Sequence, residues 1–114
     1  MQPPSDDAHF SVRTRSQPNA RETIVMVSGD LDLTTADELD RFVKQEMRAG
    51  PVLLDLRDVA FIDSSGLRAL DGLVRHSQGE GLRIDPELSP TVAQILELTG
   101  MMHILPLADR EEGP

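Results

Sequence analysis

One carboxylate and two hydroxyls stand in a row in FIDSSGL, residues 61–67, where an apolar run stops at Asp63 and another begins at Leu67. Two uses of such a seam differ in chemistry. A serine between a strand and a helix is commonly an N-cap, accepting a hydrogen bond from a helix amide that has no partner within the helix. One oxygen suffices for that, yet three polar side chains are present. The Glu or Gln that would close a capping box is missing, since the positions three residues on hold Leu67 and Arg68. The other use is as an acceptor. A helix N-terminus offers free amides and a partial positive charge, so a phosphate on Ser64 would be stabilised there. It would also bring about −1.5 to −2 charges to a surface that has to dock a partner. Asp63 is placed to orient the hydroxyl by accepting its hydrogen bond. Arg68, one turn after Ser64, is a shield for the phosphate, a partner contact, or simply a solvated helix arginine.

The remaining chemical groups are weaker candidates. Asp55 in VLLDL has the look of a response-regulator phosphoacceptor, but such a site needs an acidic pair closing an earlier strand and a lysine late in the chain. Asp6 and Asp7 lie near the amino end and the single lysine, Lys44, precedes Asp55. Asp55 is better read as a strand carboxylate reaching a loop amide or solvent. Asp30 and Asp32, in SGDLDLTTADEL, are too few oxygen ligands for a magnesium site and are expected to hold a strand–helix turn, with Thr34 or Thr35 as the cap. His9, His76 and His103 are too scattered for a metal set. The Gly-x-Ser-x-Gly, P-loop, dinucleotide-binding and His-Glu-x-x-His patterns are all missing, and no base is matched to Ser64. A small hydrolase therefore has little support, and no metal or cofactor is expected.

The elements that position the seam follow from periodicity. Residues 10–15 and 23–29 read as two strands of a hairpin, with the turn in SQPNARE. The second is apolar on both faces, as in a central strand. Thr35 and Glu38 have capping-box spacing, and behind them Ala36, Leu39, Phe42, Val43 and Met47 share one helical face up to Gly50-Pro51. A buried strand VLLDL and the run VAFI lead to Asp63. Leu67, Leu70, Leu73 and Val74 then form the stripe of a second helix ending near Ser77. LRI is a short strand, Ser89-Pro90 starts a third helix that stops at Gly100, and HILPL reads as a last strand. A hairpin followed by alternating helices and strands predicts an α/β fold with one mixed, mostly parallel sheet and right-handed crossovers. Function in such sheets sits at the carboxyl ends of strands, beside helix N-termini, where the seam falls.

Composition narrows the partners. The 114 residues suit one domain, expected over 10–107, between a loose leader at 1–9 and a loose tail at 108–114 that frays or forms a stub of helix. A net charge of −9 repels nucleic-acid backbones and anionic lipid, so neither DNA nor a membrane is an expected partner. Three Phe without Trp or Tyr leave few platforms for stacking bases or sugars. Without cysteine, disulfides and thiolate chemistry are excluded. No run reaches membrane length and the acidic start lacks a signal peptide's basic residues, so the cytoplasm is the expected compartment.

SGDLDLTTADEL, VLLDLRDVAFIDSSGLRAL and LSPTVAQILELTGM together resemble the STAS domain of anti-sigma factor antagonists, over nearly the whole span from Phe10 to Leu107. The resemblance implies a STAS-type sheet packed by three to four helices, in a binding protein and not an enzyme. It implies partner switching in bacteria: the unphosphorylated antagonist binds an anti-sigma factor that is also a serine kinase, releasing the sigma factor. The kinase then phosphorylates the first serine of the motif and a separate serine phosphatase resets it. By this resemblance Ser64 is the phosphoacceptor. Asp63, Ser65, Gly66 and Arg68, with Asp30, Asp32 and Thr34 from the neighbouring 30–34 loop, form the partner surface. The kinase supplies ATP and magnesium, so no cofactor is implied here. Asp85-Pro86-Glu87 and the short ADREEGP terminus depart from the family pattern. The family also contains scaffold and docking modules, so a constitutive module whose serines only cap is the alternative.

Overall fold

The computed structural model describes residues 10–16 and 20–109. The leader, the middle of the SQPNARE turn at 17–19 and the end of the tail at 110–114 lie outside the described residues.

Two strands, β1 (Ser11–Arg15) and β2 (Thr23–Leu31), pair antiparallel as the expected hairpin. Helix α1 (Ala36–Ala49) leads to β3 (Val52–Ile62), and α2 (Ser64–Ser77) leads to β4 (Leu82–Ile84). Helix α3 (Pro90–Thr99) and a 3-10 turn (Met101–His103) complete the described chain. The sheet order is β1-β2-β3-β4, with β2, β3 and β4 parallel. This is the mixed, mostly parallel α/β sheet that the alternation of elements predicts.

The sheet is not equally buried on its two sides. Along β2, Val25, Val27 and Leu31 are buried, while Ile24, Met26, Ser28 and Asp30, pointing the other way, are half-buried. The strand is central in order, yet its second face is only partly covered. The buried face continues through Val52 and Leu54 of β3 to Leu82 and Ile84 of β4. Leu39 and Val43 of α1, Leu70 and Leu73 of α2, and Val92 and Leu96 of α3 join the same core. Helices α1 and α2, which connect β2 to β3 and β3 to β4, pack on each other. Ser89 caps α3 as expected, accepting from the Val92 amide at 3.3 Å and donating to the Val59 carbonyl at 2.8 Å.

Three expectations give way. First, β2 does not stop at Gly29 but runs through Asp30 to Leu31. Second, the capping box at Thr35 is not made. Its hydroxyl turns backward, donating to the Asp30 carbonyl and accepting from the Asp32 amide, both at 2.9 Å, and tying the end of β2 to the turn. Third, HILPL is not a strand. The Leu105 amide is committed to the Met101 carbonyl at 3.1 Å, and only Leu107 bridges Ile84. Burial of Met101 and Leu105 favours that compact turn over an extended edge.

Candidate functional site

The length mismatch between β2 and β3 sets the site. Nine residues of β2 pair with eleven of β3 because β3 carries two bulges, between Asp55 and Asp58 and between Val59 and Phe61. Asp55 supports the first, its Oδ1 accepting from the Arg57 amide at 3.0 Å and from Arg57 Nε at 3.2 Å. The strand carboxylate thus reaches a nearby amide, and the residue is buried. After the second bulge, Leu31 pairs with Ile62, so both strands end together. The Asp63 amide donates to the Leu31 carbonyl at 3.2 Å and lashes the two following turns side by side.

Asp63 is the N-cap of α2. Its Oδ1 accepts from the Ser65 amide at 2.8 Å and the Gly66 amide at 3.1 Å. This corrects the role expected from the sequence: the carboxylate binds backbone amides and does not hold the Ser64 hydroxyl. It also releases the serines from capping. The helix begins at Ser64, two residues before the Gly66 expected from the apolar stripe, and Ser64 is exposed while Ser65 is half-buried. The consequence for phosphate is electrostatic. A carboxylate already fills the anion-binding place at this helix end, so a phosphate on Ser64 would add its charge beside it.

Gly66 is buried, and a Cβ there would meet the Leu31 carbonyl and the side chains of Ile62 and Leu31. Its part is to let α2 approach the strand ends, which is a positioning role beneath the surface. Arg68 is exposed and forms no ion pair with a described residue.

The neighbouring turn is built on Asp32. Its Oδ1 accepts from the Thr34 amide at 3.0 Å and the Thr34 hydroxyl at 2.8 Å. The Thr34 hydroxyl foremost holds the Asp32 carboxyl below its ordinary value. The Asp32 carbonyl accepts from the Thr35 and Ala36 amides and starts α1. Asp30 belongs to β2, not to a loop, and pairs with Phe61. Asp30, Asp32, Thr34, Asp63, Ser64, Ser65 and Arg68 thus gather at the carboxyl ends of β2 and β3.

Two apolar residues of this surface were not legible beforehand. Leu33 is 76% exposed in the turn before α1, and Phe61 is 45% exposed. Phe61 sits in the run VAFI, which reads as buried; its pairing with Asp30 puts it on the half-covered side of β2. Leu33 carries a weak signal, since it falls between the strand and helix periods and fits neither. Among the described residues no group of His, Cys, Asp or Glu is arranged to hold a metal ion, and no helix is long and apolar enough to cross a membrane.

With this geometry in view, the similarities to known proteins are informative. The STAS domain family model matches residues 11–113. An anti-sigma F factor antagonist of Paenibacillus polymyxa is 33% identical over 95 residues, covering 77% of this chain and 79% of that protein. An anti-sigma-B factor antagonist of Bacillus subtilis is 26% identical over 98 residues, covering 83% and 89%. The fold superposes on the crystal structure of an anti-sigma factor antagonist from Mycobacterium paratuberculosis with a TM-score of 0.76 at 23% identity, covering 93% and 91% of the two chains. It superposes on the antagonist SpoIIAA in its unphosphorylated form at 0.66, with 18% identity and 90% of each chain covered. Against the Bacillus SpoIIAA in its phosphorylated form the TM-score is 0.59 at 16% identity, covering 90% and 93%. A family model spanning nearly all the described residues and a close antagonist relative converge: the chain belongs to the STAS domain family of anti-sigma factor antagonists.

Proposed function

We propose that this chain binds an anti-sigma factor that is also a serine kinase, freeing a sigma factor, and that phosphorylation of Ser64 ends the binding. A serine phosphatase would restore it. The chain acts as a binding protein in the cytoplasm and not as a catalyst. The observation that carries this reading is the exposed Ser64 hydroxyl at the first position of α2, relieved of capping by Asp63. A kinase has access to that oxygen. The phosphate would stand next to a carboxylate that already holds the Ser65 and Gly66 amides, so its charge stays on the surface where the partner docks. That a relative of the same fold is described in both unphosphorylated and phosphorylated forms is in keeping with this.

In the alternative, a constitutive docking module, the serines serve only as caps. That job is performed here by Asp63, which weakens the alternative. The deciding experiment incubates the chain with its anti-sigma kinase and ATP, maps phosphate by mass spectrometry, and measures affinities by calorimetry. Ser64→Ala should bind as the wild type does and take no phosphate. Ser64→Asp should bind at least about tenfold more weakly, equivalent to about 1.4 kcal/mol. Equal affinities for the two variants, or phosphate found elsewhere, would refute the switch.

A further inference from the structure

Away from the strand ends, α1 and α2 enclose a concavity of about 480 Å³, lined by Arg41, Lys44, Gln45 and Arg48 of α1 and by His76 from the last turn of α2. Among the described residues no carboxylate lines it. Arg41, Gln45, Arg48 and His76 are exposed and Lys44 is half-buried. Such a gathering of bases stands out in a chain of net charge −9. Elsewhere Arg57, Arg75 and Arg83 each pair with carboxylates, whereas in this groove only Lys44 does, with Asp40 at 3.2 Å. Arg41 and Arg48 form no ion pair with a described residue.

The helix dipole accounts for part of this arrangement. It favours cations in a last turn, which covers Arg48 and His76. Arg41 and Lys44 stand in the middle of α1, outside its reach. Arg41 and Lys44 are three residues apart and Lys44 and Arg48 four, spacings at which like charges weaken a helix. Asp37, four residues before Arg41, is placed for an ion pair that does not form. An anion from outside would relieve the repulsion. From Arg41 to Arg48 the cations span about 10 Å along one face of α1, which matches carboxylates repeated at each turn of an acidic segment better than one small anion. Nucleic acid is opposed by the overall charge, and no aromatic ring lines the groove to stack a base.

We propose that this basic groove docks an acidic segment of a second protein partner, with Glu or Asp side chains one turn apart set against Arg41, Lys44 and Arg48. His76 follows Ser64 by twelve residues on α2, about 18 Å by helical rise. That is about two Debye lengths in physiological salt, so charge added at Ser64 is largely screened at the groove. The acidic segment can therefore be held in either phosphorylation state, while the strand ends are free or occupied.

The test is fluorescence anisotropy of a labelled poly-L-glutamate peptide with the full chain at low salt, with amide NMR shifts locating the contact. The peptide should bind with a Kd below about 1 mM, weaken as salt rises, and shift the amides of residues 41–48 and 76. Arg41→Gln with Arg48→Gln should bind at least tenfold more weakly, with a urea midpoint no lower than the wild type's, because both side chains are exposed. Arg13→Gln with Arg15→Gln removes the same charge from exposed positions on β1 and should bind like the wild type. Absence of binding, shifts confined to other residues, or the loss falling on the β1 variant would overturn the proposal. So would tripolyphosphate bound in the groove as tightly as the peptide, which makes it a small-anion site, or oligouridylate bound there more tightly, which makes it a nucleic-acid site. These results are independent of the Ser64 switch, whose test requires the anti-sigma kinase.

Discussion

Gly66→Ala tests whether the close approach of α2 to the strand ends is what places Ser64. A methyl group there would press on the Leu31 carbonyl and stand 2.7 Å from Ile62 Cγ1 and 2.9 Å from Leu31 Cγ. Neither side chain has room to withdraw, since Leu31 is 0% and Ile62 2% exposed. The Leu31 carbonyl also accepts from the Asp63 amide, so relief requires the amino end of α2 to move as a unit. Overpacking of this kind costs about 1–3 kcal/mol. Alanine's greater helix propensity returns at most about 1 kcal/mol, and less in a first turn. A net loss of about 1–2 kcal/mol is therefore expected. Gly72 lies on the same helix with nothing within 4 Å of an added Cβ. Gly72→Ala keeps only the propensity gain and should stabilise by about 0.5–1 kcal/mol. The two substitutions, six residues apart, should thus have opposite signs. Urea denaturation followed by far-UV circular dichroism measures both, which suits a chain without Trp or Tyr. Gly66→Ala should also weaken partner binding, because Ser64 and Ser65 travel with the helix end. If Gly66→Ala is as stable as the wild type, or Gly72→Ala falls with it, the steric argument is wrong.

Asp63→Ala removes the cap of α2 and should cost about 1–2 kcal/mol, with faster hydrogen exchange at the Ser65 and Gly66 amides; unchanged exchange would show that another group caps the helix. Asp32, held below its ordinary value chiefly by the Thr34 hydroxyl, lends its turn stability that is complete above about pH 4 and lost as pH falls through the lowered native value. Carbon NMR should find its midpoint below that of a free aspartate, and Thr34→Ala should raise it; an ordinary midpoint in the wild type would contradict the turn's geometry. Arg57→Met leaves Asp55, only 8% exposed, with its bond to the residue-57 amide alone. With Arg57 45% exposed, solvent screening limits the loss to about 1 kcal/mol by urea titration. A variant as stable as the wild type would mean the pair adds nothing to the bulge.

Much of this molecule is written in local pattern. The alternation of β-branched and helical stretches, Ser89-Pro90 before α3 and Gly100 after it are short-range effects, and a reader of the chain can place them. The seam was legible for the same reason: polar groups interrupting two apolar runs at a strand's carboxyl end. What lay beyond reach depends on pairing between distant segments. Whether Asp63 or a serine caps α2 is decided by how the Asp63 amide meets the Leu31 carbonyl across the sheet. Thr35 has the spacing of a cap, but its hydroxyl is closer to the end of β2 than to its own helix amides. Phe61 faces outward because it pairs with Asp30, on the half-covered side of β2, and no periodicity within VAFI records a partner strand nine residues long. Leu105 is held in a turn by burial, where its neighbours suggest a strand. Local propensity determined which elements exist and where charge and hydroxyls gather. The register of β2 against β3, a long-range interaction, determined which oxygen binds the helix amides and which is left open to solvent.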